Sequence, residues 1–319
     1  MTGSRTQLAA DLVAQAKLPS AEQGEAQGTT WEPVNLRELV EGGARPVEPT
    51  LGFRTDAVGL LYPGKVHLMA GEPESGKSWL ALVFAAQVMD ERRRVLFLDF
   101  EDNALGILGR LRDMSVRLPD IYERFLYVRP QQPLTWQAQQ LLAPLVADCS
   151  LVVIDGVTEM MEMHSLNPNT DLDVATMWDK LPRWAARLGP AVLMLDHVVK
   201  NTSARGRFAT GSQHKLAAID GAGYVLECGQ PFGKGMAGTS QLYIAKDRHG
   251  GVRAHAAAGR NGMQHIGTLR IDATEEFVCA SIEPPEATPS SGGTAGKWKP
   301  SDAMEEISRL LAATELKRQ

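Results

Sequence analysis

Between residues 65 and about 283 the chain alternates short, almost wholly apolar runs with longer amphipathic stretches. The runs Val66–Ala70, Val95–Phe100, Phe125–Val128, Leu151–Ile154 and Val192–Leu195 lack the polar–apolar alternation of a strand with one wet face. They predict strands buried on both faces. Several of the intervening stretches are long enough for a helix, which predicts parallel crossovers. Three further runs, Gly223–Glu227, Gln241–Lys246 and Gly267–Asp272, follow one another more closely and favour antiparallel pairing. The pattern therefore predicts an α/β fold. Its central sheet is mostly parallel, twisted and flanked by helices, with antiparallel strands at the C-terminal edge.

The flanks read differently. Residues 1–50 are polar and broken by "EAQGTTWEP" and "GGARPVEP", which predicts a partly disordered N-terminal arm with one short helix. Residues 51–283 hold the domain, and residues 284–300, "PPEATPSSGGTAGKWKP" from Pro284, read as a flexible linker. Residues 301–319 predict a C-terminal helix with Met304, Ile307, Leu310 and Leu311 on one face. A lone helix cannot bury that face, so it is expected to pack on the body, on a partner or on further sequence, as a truncated module would.

Composition narrows the classes. With 319 residues, 44% hydrophobic and 22% charged, the chain can bury a core without staples. Cys149, Cys228 and Cys279 form no CxxC pair, which argues against a disulfide framework or a zinc site. A signal-peptide core and any run of the ~18 apolar residues needed to span a bilayer are missing, so a cytoplasmic protein without membrane contact is expected. The net charge of −5 speaks against a broad basic surface, so any polyanion contact must be local.

The stretch after the first strand carries the chemistry. Gly71-Glu72-Pro73-Glu74-Ser75-Gly76-Lys77-Ser78 is a complete Walker A match, followed by the apolar helix-forming run that opens at Trp79. Glycines let backbone amides turn in around phosphates, Lys77 neutralises β- and γ-phosphate charge, and the Ser78 hydroxyl suits Mg²⁺. The next helix points its positive end at the same anion. Glu72 and Glu74 look out of place beside phosphate, but the amides do the cradling and these side chains can point away. The ligands implied are ATP and Mg²⁺; a purely structural glycine turn is the alternative.

The second strand ends in "LDFEDN", offering Asp99, Glu101 and Asp102. Nucleotide hydrolysis needs a carboxylate to orient or deprotonate water, and Glu101 is the candidate base, while Asp102 or Asn103 suits a helix cap. Strand alternation would put Asp99 and Glu101 on the same side. "LVVIDG" ends in Asp155, a Walker B carboxylate for Mg²⁺, and Gly156 where an AAA+ arrangement would carry a glutamate. "AVLMLDH" ends in Asp196 and His197. His197 is a candidate γ-phosphate sensor, with a satisfied structural histidine as the alternative. From His197 to Ile219 there is no acid, while Lys200, Arg205, Arg207 and Lys215 add four positive charges among small polar residues. That stretch is a candidate single-stranded DNA contact, against the plainer reading of a solvated loop.

Taken in order, the Walker A loop, "FLDFED", "LVVIDG" and a strand ending in a polar residue resemble RecA-like P-loop ATPases. The resemblance covers residues 50–280. It is strongest to hexameric replicative helicases of the DnaB kind, to plasmid RepA and to related phage and actinobacterial ATPases. The resemblance implies a glutamate base at Glu101, a "GS…D" segment at Gly211, Ser212 and Asp220, and a K-x-R-x-G finger at Lys246, Arg248 and Gly250. In the family that lysine and arginine reach the neighbouring subunit's ATP, which implies self-association into a ring or filament, typically a hexamer. It further implies a DNA helicase or DNA-dependent ATPase in phage, plasmid or mobile-element replication or repair. The first 50 residues are too short for the N-terminal domain of a DnaB-type helicase. A regulatory ATP-binding assembly that unwinds nothing, or a P-loop kinase, are the competing classes.

Overall fold

The structure is a computed structural model that describes residues 33–43, 45–198 and 214–285. Lys200, Arg205, Arg207, Gly211, Ser212, most of the N-terminal arm, and the linker and helix expected after residue 285 lie outside the described residues. The chain divides into two compact units at Arg45/Pro46. The first contains helix α1 (Leu36–Glu41), started by Asn35, whose side-chain oxygen accepts from the amides of Arg37 and Glu38.

The second unit opens with the antiparallel pair β1 (Leu51–Phe53) and β2 (Gly59–Leu61). Then follow β3 (Val66–Gly71), α2 (Lys77–Asp90), β4 (Arg94–Asp99), α3 (Ala104–Asp113), α4 (Leu118–Arg124) and β5 (Phe125–Val128). The chain continues through α5 (Trp136–Ala147), β6 (Cys149–Asp155), α6 (Val157–Met163), α7 (Asp171–Lys180), α8 (Pro182–Arg187) and β7 (Ala191–His197). The last elements are α9 (His214–Ala217), β8 (Ala222–Gln230), β9 (Ala237–Asp247), β10 (Gln264–Asp272) and β11 (Cys279–Glu283). Among the described residues, nine strands form one sheet in the order β11-β10-β9-β8-β3-β7-β6-β4-β5. Pairing is parallel from β8 to β5 and antiparallel from β8 to β11, which is the mixed sheet that the spacing predicts.

Successive strand residues face opposite ways, so each central strand feeds two cores. Met69, Val95, Phe97, Val153 and Leu193 pack with Leu80 and Phe84 of α2. Leu68, Leu96, Ile154 and Met194 pack on the other side with Met160, Met177 and Trp178 of α6 and α7. This is why the strands read as continuous apolar runs. Helix α2 is apolar almost all round because the sheet covers one side and β1 the other. Gln87 bonds both the amide and the carbonyl of Phe53, each at 2.8 Å, as a neighbouring strand would.

Candidate nucleotide-binding site

Register brings the chemistry together. Gly71 lies opposite His197 across β3 and β7, Leu195 lies opposite Asp155, and Asp155 lies opposite Asp99. Four strands therefore end in one row at their carboxyl edge, where open α/β sheets bind ligands. A cavity of about 910 Å³ opens there, with Glu74, Lys77, Ser78, Trp79, Glu101 and His197 among its walls.

Glu74 and Gly76 take the left-handed conformation, with φ of 63° and 93°, which turns successive loop amides toward one centre. Gly76 has a second reason to be glycine. A Cβ there would come within 2.9 Å of the Phe232 ring from the β8–β9 turn. The Lys77 ammonium sits on the carbonyls of Gly71 and Glu72 at 3.1 and 2.9 Å, in the mouth of the loop. Burial pushes its pKa down, while Glu101 and Asp155 pull it back up. Ser78 donates to the Asp155 carboxylate at 2.8 Å. Burial pushes Asp155 up to about 7, partly offset by the Ser78 bond. A cation beside it would restore the charged form. These two hard oxygen donors fit Mg²⁺, which takes one or two protein oxygens and completes its shell with water and phosphate.

Asp99 and Glu101 do not share a role. Asp99 is fully buried, and its Oδ1 accepts from the amides of Glu101 and Asp102, at 3.0 and 2.7 Å. Its other oxygen accepts from the Tyr127 hydroxyl at 2.8 Å. The strand thus stops at Asp99, and Asp99 holds the turn that presents Glu101 to the cavity. Asn103 caps α3 through the amides of Leu105 and Gly106. Glu101 reaches His197, with Oε1 3.4 Å from Nε2. Glu159, one helical turn after Asp155, escaped the sequence reading. Its Oε2 is buried without a hydrogen bond, and a Cβ on Gly156 would lie within 3.4 Å of both Glu159 Oε2 and Glu101 Cβ. The signal available was an acid four residues beyond the Walker B aspartate.

Lys215 corrects an expectation. Its side chain is 1% exposed, and its ammonium pairs at 2.8 Å with the equally buried Asp196. It therefore cannot touch a polymer in this conformation: it neutralises a carboxylate that would otherwise be stranded in the core. Asp196 in turn receives the His197 amide and the Thr158 hydroxyl. Asp220 accepts from the Val66 amide and fixes the start of β3.

Lys246 and Arg248 lie elsewhere. The Lys246 ammonium donates to the carbonyls of Leu216, Ala217 and Ile219, at 3.1, 2.8 and 2.8 Å, closing the end of α9. The Arg248 amide donates to Gly221, whose own amide donates to Val66 at the beginning of β3. Arg248 thus sits at the amino edge of the strand whose carboxyl edge carries the phosphate loop. Five residue steps separate the two edges, about 16 Å at strand rise.

The family described as AAA domain matches residues 53–203, just under half of the chain. A curated relative, DNA repair protein RadA of Halalkalibacterium halodurans, is 27% identical over 149 residues. That stretch is 46% of this chain and 31% of the relative, so the chain spans about a third of the length of the curated relative it matches. The chain carries a RecA-like P-loop ATPase domain. This grouping is broader than the DnaB and RepA kind that the motifs resemble. The RecA-like core accounts for β3 to β7 and for the row of Gly71, His197, Asp155 and Asp99. Among the described residues, no helix is long and apolar enough to cross a membrane.

Proposed function

We propose that the protein is a DNA-dependent ATPase whose sites are completed between copies, and that it acts as a motor of the helicase kind in DNA replication or repair. One observation supports the shared site: Arg248 stands at the end of the sheet opposite to its own phosphate loop, too far to serve that loop's nucleotide, and in this reading it serves another copy's. The printed name of the RadA relative, which concerns DNA repair, supports the DNA part.

In this reading the backbone amides between Glu74 and Ser78 and the Lys77 ammonium bind the β- and γ-phosphates of ATP. Ser78 and Asp155 would hold Mg²⁺, which supplies charge neutralisation for the departing diphosphate. Glu101 accepts the proton of the attacking water, from a turn that Asp99 and Tyr127 keep rigid. His197, in contact with Glu101 and at the head of the segment 199–213, registers whether the γ-phosphate is present. Arg248 of the next copy stabilises the transition-state charge. With Lys215 paired inside, Lys200, Arg205 and Arg207 are the remaining candidates for the DNA phosphates.

The test is ATP hydrolysis with and without single-stranded DNA, for the natural chain, Glu101→Gln and Arg248→Ala. Stimulation by DNA that both substitutions abolish is expected. Hydrolysis indifferent to DNA would leave a regulatory ATP-binding assembly; hydrolysis indifferent to Arg248 would remove the shared site.

A further inference from the structure

A second cavity, of about 290 Å³, lies at the amino edge of the sheet, with Arg183, Arg187 and Arg248 in its walls above a floor that includes Ala186 and Ile219. The charge there is unbalanced. Arg187 and Arg248 are exposed and form no ion pair with any described residue, while Arg183 is tied to Asp179 and to the Ala218 carbonyl. Asp220, in the same wall, already serves the Val66 amide and lies 3.5 Å from Lys65. Lys246 borders this group, and after burial the main causes that push its pKa down include Arg248 and Arg183. Cations held this close around a concave surface favour an anionic occupant.

The same chain carries the complementary surface at the other end of its sheet. Glu74, Glu275 and Glu276 line the nucleotide cavity, are exposed, and form no ion pair with any described residue. Glu275 and Glu276 sit on the β10–β11 turn, followed by Phe277, which is 53% exposed. That turn is anchored on both flanks. The Val278 amide donates to Asp113 of α3, and Ala273 exchanges backbone bonds with Gly235 and Met236 of the β8–β9 turn. An edge carrying Glu74, Glu275 and Glu276, with Lys234 beside them and Arg110 paired to Asp102, thus lies at the far end of the sheet from a basic hollow with an apolar floor.

We propose that the Arg183–Arg187–Arg248 cavity receives the Glu275–Glu276 turn of a second copy, head to tail. The proposal rests on the shared-site reading and extends it: Arg187 and Arg183 dock the neighbour, and docking delivers Arg248 to the neighbour's cavity. Because the two surfaces differ, each copy uses both, and the contact propagates.

The experiment is sedimentation of the full chain with a non-hydrolysable ATP analogue, with circular dichroism to confirm that each variant is folded. Arg187→Glu and the pair Glu275→Lys, Glu276→Lys should each weaken assembly by about tenfold or more, as like charges meet across the contact. Combining all three in one chain should recover part of the lost assembly, because the reversed charge at position 187 then attracts the two lysines that Arg183 and Arg248 still repel. Arg187→Gln, a milder change, should fall between. Unchanged assembly in Arg187→Glu overturns the proposal, and so does a combined variant no better than its parents. Normal assembly with lost retention of single-stranded DNA would assign the cavity to nucleic acid instead. Partly recovered assembly in the combined variant, alongside normal hydrolysis by Arg248→Ala, would keep the interface and discard only the arginine's catalytic part.

Discussion

Glu101 is the residue on which hydrolysis turns. Replacing it with Gln keeps size and turn but removes the proton acceptor. We expect kcat to fall by about 10²–10⁴-fold, the usual contribution of a general base, with nucleotide binding retained in a fluorescent-analogue titration. His67 sets a different property. It accepts the Tyr62 amide at Nε2, 2.9 Å away, so Nδ1 must carry the proton and donate to Val192. Full burial pushes its pKa down to about 4, so the imidazole stays neutral in the folded chain. Unfolded, the ring would titrate near 6.5. Between these values the unfolded chain binds the extra proton, so stability is present above about pH 6.5 and drains as pH falls toward 4. The full loss is about 3 kcal/mol. The stability difference between the natural chain and His67→Gln in urea unfolding should carry this slope from pH 7 to 4; the comparison cancels the opposite contribution of Asp155, whose carboxyl, raised to about 7, keeps its proton in the folded chain over the same range. Gly221 protects the same ring, since a Cβ there would stand 2.6 Å from Nε2.

Among the elements, β9 and α9 are joined through one ammonium. Lys246→Met would strand the carbonyls of Leu216, Ala217 and Ile219 and should cost about 1–3 kcal/mol. The expected result is a lower melting temperature of the nucleotide-free chain, whereas Arg248→Ala should leave that temperature nearly unchanged. The core elements were legible in the sequence because strands buried on both faces write themselves as unbroken apolar runs, and the phosphate loop carries its spacing locally. The pair β1–β2 was not, because three-residue strands give no periodicity, and the free edge of β1 is held at Phe53 by a side chain, Gln87, 34 positions away. The edge strand β11, "CASIE", is too mixed to stand out from the turn before it. Lys215 looked like its neighbours in a run of cations, and only Asp196, nineteen positions earlier, separates it from them. Glu159 and the Tyr127–Asp99 bond depend on packing across strands, which spacing along the chain does not record.

For the whole molecule, the separation of base and finger makes a mixing test decisive. Glu101→Gln chains keep a working Arg248, and Arg248→Ala chains keep a working Glu101. Each alone should be nearly inactive. In an equimolar mixture about a quarter of the contacts place an intact finger over an intact cavity, so about a quarter of the natural rate should return. A mixture as inactive as its parents would mean that each site is complete within one chain.

The placement of Arg248 at one edge of the sheet and the phosphate loop at the other has a consequence for counting. A closed circle of such chains has as many finished sites as members. An open row always has one fewer, because the cavity at one end meets no arginine. Turnover per chain is then independent of size for a circle. For a row it climbs as the row lengthens, steeply at first and then toward a plateau. Rate measured against assembly size would therefore reveal closure from chemistry alone.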